Sequence, residues 1–245
     1  MFFSVSHKLD PLPTTVTDFW RLVWQEKVKV IVILTNVVEG GKQKCEQYWP
    51  DQEPQEYGPF TVTLVDQQVF ADYIIRILNV MVRPVFTFTL HTHLHPPYPA
   101  NSYNCTLSSD KHAEKRSLRS VFQIHFRAWP DHGVPEYAGP ILTFLHRVNA
   151  QLSTSKGPLL IHCRYMFSYV MVGMYSITML QSVKIVGITA KVTWLLCSSG
   201  VGRTGTLITI DIALEQAAKE GAVDIPAVVY KIRRQRMKMV QTVVS

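Results

Sequence analysis

The chain has 245 residues, 47% hydrophobic and 18% charged, with a net charge of +7 from 25 Lys+Arg against 18 Asp+Glu. That composition excludes a disordered, acidic or low-complexity protein and allows one large or two small domains with a sizeable core. The positive balance favours anionic partners, but no basic run alternates with aromatic residues as a nucleic-acid platform requires, so nucleic acid is not expected. Four scattered cysteines (Cys45, Cys105, Cys163, Cys197) are too few for a disulfide scaffold and read as a reducing compartment. The opening Met-Phe-Phe-Ser-Val-Ser-His-Lys has neither a basic n-region nor a sustained apolar run, and no signal peptide is read.

Thr15-Val16-Thr17-Asp18 predicts a capping box, followed by Val16, Phe19, Trp20 and Val23 at helical spacing. Residues 28–34 are a β-branched run that predicts a buried strand, ending at Thr35-Asn36 before a turn at Glu39-Gly40-Gly41. Residues 60–65 and 73–80 predict two more strands. Residues 121–127 alternate, with Phe122, Ile124 and Phe126 on one face. Residues 139–152 predict a helix with Ile141, Leu142, Leu145, Val148 and Leu152 in one stripe. After a helix over residues 204–219, Asp224 and Pro226 start a last helix, basic on one side (Lys231, Arg233, Arg234, Arg236, Lys238), which reads most simply as solvated surface. Strands and helices are mixed along the chain, which defines an α/β class.

Two stretches differ from the rest. Residues 81–110 carry only two charges, Arg83 and Asp110, with four prolines. Residues 164–196 carry three basic residues and no acid, and residues 165–180 form a 16-residue run without a charge. A bilayer span needs about 20 apolar residues, so a buried insert is the better reading.

The strongest local signal is Cys197-Ser198-Ser199-Gly200-Val201-Gly202-Arg203-Thr204-Gly205. Five small or flexible residues separate cysteine from arginine, and such a loop can turn its N–H groups inward as an anion nest. The helix downstream places that nest at a positive N-terminus. Arg203 can hold a phosphate-like dianion through two nitrogens. Cys197 at the loop entrance feels this potential, which favours its thiolate. The second signal is Trp129-Pro130-Asp131-His132-Gly133-Val134-Pro135, a stiff loop with one carboxylate, Asp131. Phosphoryl transfer needs an acid to protonate the departing oxygen, and His132 competes with Asp131 for that role.

These motifs, with Thr15-Val16-Thr17-Asp18-Phe19-Trp20, Lys44-Cys45-Glu46-Gln47-Tyr48-Trp49-Pro50, residues 157–163 and Met239-Val240-Gln241-Thr242, resemble the catalytic domain of classical protein tyrosine phosphatases, most closely the receptor-type branch. The resemblance implies a twisted mixed β-sheet flanked by helices, without a metal or organic cofactor. It implies that Cys197 attacks phosphotyrosine and Asp131 protonates the tyrosyl oxygen; water, activated by Asp131 and positioned by Gln241, then hydrolyses the cysteinyl-phosphate. Ser198, Ser199, Gly200, Val201, Gly202 and Arg203 would hold the phosphoryl group, and Thr204 would assist release of the thiolate. Phosphotyrosine-containing proteins are the implied partners. The implied location is cytoplasmic, with membrane association only through a receptor-type parent chain.

Departures from the family pattern shape the expected organisation. One tyrosine phosphatase-like domain over residues 12–244 is expected, interrupted at 81–110 and 164–196. Residues 1–11 fall outside the resemblance, and the sheet is expected to be incomplete at the N-terminus. Removing residues 164–197 would restore Ile-His-Cys-Ser-Ser-Gly-Val-Gly-Arg-Thr-Gly, as excision of an unspliced intron would. Two cysteines therefore compete. Cys197 keeps the spacing to Arg203, with residues 192–196 as a substitute feeding strand; Cys163 keeps its neighbour His162. Spacing favours Cys197. A binding module that captures phosphate without turnover, and a non-functional mis-spliced product, are the alternatives to an enzyme. His91, His93 and His95 lack a completing ligand, so no metal site is expected. Asn104-Cys105-Thr106 fits a glycosylation sequon without meaning in a cytosolic chain.

Overall fold

The computed structural model describes residues 15–83, 118–131, 133–155, 157–163, 194–196 and 201–241, with the backbone alone at 194–196. The tract 165–180, His91, His93, His95, His132, the Asn104 sequon and Thr242 lie outside these residues.

A seven-stranded mixed sheet organises the described chain, in the order β4-β5-β6-β7-β1-β8-β9. Strands β4 (Gln55–Tyr57), β5 (Phe60–Val69), β6 (Tyr73–Val82) and β7 (Leu118–Phe126) run antiparallel to their neighbours. From β7 onward the pairing is parallel, through β1 (Val30–Ile33), β8 (Leu159–His162) and β9 (Trp194–Leu196). A two-stranded hairpin, β2 (Val38–Glu39) and β3 (Lys42–Gln43), stands apart. This is the expected α/β architecture. β6 reaches Val82, so the first two residues of the stretch 81–110 belong to the sheet.

β1 is buried along its whole length because both faces of the sheet are covered. On one face Val30, Val32 and Leu34 pack with Phe144 and Leu145 of α2 (Gly139–Ser155), Leu207 and Ile208 of α3 (Arg203–Glu220), and Ile232 of α4 (Ile225–Gln235). On the other, Ile31 and Ile33 meet Phe19 and Trp20 of α1 (Val16–Gln25), with Tyr48 and Trp49. Such two-sided cover explains the continuous β-branched run that marked this strand.

Three local expectations are corrected. Thr15 occupies the N-cap of α1 but makes no capping bond; its φ/ψ of −120°/0° is not the extended geometry that aims a hydroxyl at the first turn. Asp18 instead pairs with Arg21 one turn on. In α2 the buried stripe is Ile141, Phe144, Leu145 and Val148, and Leu142, about 100° around the helix from Ile141, is exposed. In β7 the opposite face is buried too, through Val121, Gln123 and His125, because this strand lies mid-sheet between β6 and β1. Asp224 does cap α4, accepting from the Ala227 amide at 2.9 Å, with Pro226 in the first turn.

The register sets the position of the chemistry. Ile33 pairs with His125 on one side and His162 on the other, so β1, β7 and β8 end in one row. Loops leaving the carboxyl ends of parallel strands are where α/β sheets place their ligands.

Candidate active site

Arg203 is the first residue of α3, with Gly202 at the N-cap. Its side chain is largely buried and fully engaged at both terminal nitrogens. Nη1 donates to the Leu34 carbonyl (3.0 Å) and to Glu39 Oε1 (2.7 Å). Nη2 donates to Glu39 Oε2 (3.0 Å) and to the Pro130 carbonyl (2.8 Å), with the Asp131 carbonyl at 3.4 Å. The guanidinium also lies 5.8 Å from the centre of the Trp129 ring. Glu39 thus fixes the plane of the fork, and the same fork fastens the loop carrying Asp131.

That loop is held at its other side as well. Lys44 Nζ lies 3.0 Å from Asp131 Oδ1. The Gly40-Gly41 turn of the β2–β3 hairpin has φ of +56° and +70°, a left-handed pair that glycine adopts without strain. At Gly40 a Cβ would stand 2.5 Å from Asp131 Oδ2, so a larger residue would press the carboxylate aside as well as strain the dihedral. Trp129 is buried and donates from Nε1 to the Gly133 carbonyl at 3.2 Å, closing the loop on itself.

Gln241 lies beside the N-cap of α3, its Oε1 3.6 Å from where a Cβ on Gly202 would be. Three anchors place its segment: the Val240 amide donates to the Val201 carbonyl (2.8 Å), Met239 is fully buried, and Arg233 donates from Nε to the Met239 carbonyl (2.8 Å) and from Nη2 to the Val240 carbonyl (2.7 Å). Val240 has φ +57°, a left-handed conformation that costs a β-branched residue about 1–3 kcal/mol. A Cβ on Gly205 would meet the Val240 nitrogen at 2.5 Å, so the first turn of α3 admits this segment only beside glycine. Arg233 is therefore more than the solvated surface read from its helix face.

His162 ends β8 and Cys163 follows it. Both are buried. The Tyr48 hydroxyl lies 2.8 Å from His162 Nε2, and Nδ1 lies 3.3 Å from the Cys163 carbonyl. A carbonyl only accepts, so Nδ1 carries the proton and Nε2 accepts from tyrosine. Burial lowers the imidazole pKa to about 4, against the opposing effect of the Cys163 carbonyl bond, so the ring is neutral at pH 7.

The structure thus brings together five of the expected residues: Asp131, Gly202, Arg203, Thr204 and Gln241, with Val201 beside them. The Thr204 hydroxyl is fully buried and has no hydrogen-bond partner among the described residues. Cys197, Ser198, Ser199 and Gly200 lie outside those residues. β9 ends at Leu196, in register with Ile161 of β8. The strand expected to substitute for β8 therefore lies beside it, and Cys163 and Cys197 each follow a strand of the same parallel set. Sequence reasoning missed Glu39, read only as part of a turn, and gave no role to Lys44. No local signal marks either one: Glu39 is an acid in a turn, and the partners of both lie far away in the chain.

A helix N-terminus, a buried arginine and a carboxylate-bearing loop thus meet at the carboxyl ends of the parallel strands. The comparisons with known proteins give the family. The protein-tyrosine phosphatase family model matches residues 9–192 and 174–244. Receptor-type tyrosine-protein phosphatase F of Rattus norvegicus is 37% identical over 232 residues, covering 95% of this chain and 9% of that protein. Receptor-type tyrosine-protein phosphatase zeta of Homo sapiens is 35% identical over 232 residues, 95% of this chain and 8% of the relative. The eta member of Gallus gallus is 33% identical over 234 residues, 95% and 12% respectively. The chain belongs to the protein-tyrosine phosphatase family, and these relatives are receptor-type. It spans between 8% and 12% of the length of the curated relatives just named. Among the described residues, no helix is long and apolar enough to cross a membrane.

Proposed function

We propose that the chain hydrolyses phosphotyrosine on proteins through a cysteinyl-phosphate. The observation that carries this reading is the engagement of Arg203, held by Glu39 and tied to the Asp131 loop at the N-terminus of α3. The Cys197 thiolate attacks phosphorus and the P–O bond to tyrosine breaks as Asp131 gives its proton to the leaving oxygen. Water placed by Gln241 then attacks phosphorus, passing a proton to Asp131, and the S–P bond breaks to release phosphate and the thiolate, which the Thr204 hydroxyl stabilises. Amides of Ser198, Ser199, Gly200, Val201 and Gly202 hold the equatorial oxygens together with Arg203, whose Nη2 exchanges the Pro130 and Asp131 carbonyls for phosphate while Glu39 keeps its hold. Thiolate chemistry calls for a reducing compartment, which supports a cytoplasmic location.

We read residues 12–244 as one domain with inserts inside 81–110 and 164–196. The family match falls into two pieces that overlap at 174–192, which supports an interruption within 164–196. A second reading, capture of phosphotyrosine without turnover, is favoured by one observation. The cysteine with the matching histidine follows β8, while the cysteine with the matching spacing follows β9.

Hydrolysis of a small aryl phosphate separates the readings. The expected result is turnover lost in Cys197→Ser and kept in Cys163→Ser. Loss in Cys163→Ser alone would transfer the nucleophilic role, and tungstate binding without turnover would leave the capture reading. A folded chain that neither hydrolyses the ester nor binds tungstate would end both.

A further inference from the structure

Behind the site runs a row of buried polar side chains that the reaction above does not use. Arg76 on β6 is 7% exposed and, among the described residues, has no carboxylate partner. Its Nε donates to Gln67 Oε1 (2.7 Å), and its Nη1 to Gln123 Oε1 (2.9 Å) and His125 Nδ1 (3.4 Å). The guanidinium lies 4.7 Å from the Trp49 ring centre. His125, 4% exposed on β7, has Nε2 2.8 Å from the Thr35 carbonyl. The Thr35 hydroxyl donates to Glu39 Oε1 at 3.1 Å, and the next amide, Asn36, donates to the same oxygen at 2.9 Å. That oxygen also receives Arg203 Nη1. The row is unbroken from the sheet interior to the phosphate-holding arginine.

From Arg76 to Glu39 its donors and acceptors run in one direction, and Arg203 donates to Glu39 from the far side. Arg76 only donates, so His125 Nδ1 must be the bare nitrogen; the Thr35 carbonyl only accepts, so Nε2 must carry the hydrogen. Burial and the Arg76 cation lower the His125 pKa to about 3, which keeps this single neutral form across the working range. A buried cation whose hydrogen bonds go to neutral side chains is costly, and here those bonds fix one His125 tautomer.

We propose that Arg76 and His125 are positioning residues for Arg203: Arg76 sets the His125 tautomer, and His125 pins the Thr35 carbonyl so that the following turn presents Glu39 to the guanidinium. The inference rests on the oxyanion role given to Arg203 above. Amide side chains of two lengths separate the functions of the two ring nitrogens. His125→Asn keeps an acceptor where Nδ1 faces Arg76, whereas His125→Gln keeps a donor where Nε2 faces Thr35.

The test is tungstate titration by calorimetry on the full chain, with thermal unfolding of each variant alongside. Arg76→Met, His125→Leu and His125→Asn are expected to bind about tenfold more weakly at unchanged stoichiometry, the scale of one charge-assisted hydrogen bond, and His125→Gln to bind like wild type. A merely structural role would lower the folded fraction, hence the stoichiometry, and the shorter amide would serve as well as the longer. Nitrogen-15 spectra of wild-type His125 supply a measurement free of substitutions: Nε2 protonated and Nδ1 bare is expected, and the reverse would overturn the proposal even if every variant unfolded. Wild type that binds tungstate while His125→Asn binds equally well would overturn the positioning role alone. Wild type that binds none would remove the proposed function first, and this role with it.

Discussion

Glu39 and Arg203 form a nearly dry ion pair, with side chains 4% and 10% exposed. Removing one partner of such a pair leaves a buried charge, at a cost of about 3–5 kcal/mol. Glu39→Gln is therefore expected to lose about 3 kcal/mol in urea unfolding, and to weaken tungstate binding in the molecules that remain folded. The two buried histidines set a pH dependence. Both titrate at about 6.5 when unfolded, but at about 4 (His162) and about 3 (His125) in the fold. Below pH 6.5 the unfolded chain binds protons that the folded chain refuses, so stability is whole above that value and is lost as pH falls toward 4. Each histidine contributes a slope of about 1.4 kcal/mol per pH unit. Urea midpoints between pH 7 and pH 5 are expected to fall, and His125→Gln to reduce the slope by one proton. Arg203 and Asp131 were legible because the motif holding each is a short run of chain. Glu39 was not: its partner is 164 residues away, and nothing local distinguishes it from any acid in a turn.

Elements meet at this site by close approach, and two glycines mark where. Gly205→Ala places a methyl 2.5 Å from a backbone nitrogen, an atom that cannot swing aside as a side-chain tip would. The segment carrying Gln241 must shift, so a stability loss of about 1–3 kcal/mol is expected together with slower breakdown of the phosphoenzyme, seen as a product burst. Gly40→Ala strains φ and presses on the Asp131 carboxylate, and should slow the first step more than the second. Arg233→Ala frees the Met239 and Val240 carbonyls from two charge-assisted bonds, and the left-handed Val240 is expected to relax. Enhanced amide exchange at Val240 is the readout. α1 and α2 were legible from apolar spacing; α3 was read only as the helix that follows the glycine-bearing loop, and it begins one residue before its expected start. The role of α4 was hidden because its basic stripe looks the same whether an arginine faces water or grips two carbonyls.

At the scale of the molecule, the α/β class followed from mixed patterns along the chain, and the covered central strand from an unbroken β-branched run. Strand order did not, since register depends on partners brought from distant parts of the chain: β1 pairs with segments about 90 and 130 residues later. The insert reading makes a prediction here. Deleting residues 164–197 joins Cys163 directly to Ser198, and the shortened chain is expected to hydrolyse aryl phosphates faster than the full chain, with Cys163 as nucleophile. Equal or lower rates in a folded deletion variant would count against an insert.

The outermost strands of the sheet, β4 and β9, are each three residues long, and among the described residues each has a neighbour on one side only. β4 covers only residues 60–62 of the ten-residue β5, so among the described residues 63–69 present an open rim on that side. With Val65 and Val69 exposed along it, that uncovered run is the border at which one molecule can template the next, and the charge of Asp66 is what stands against such stacking.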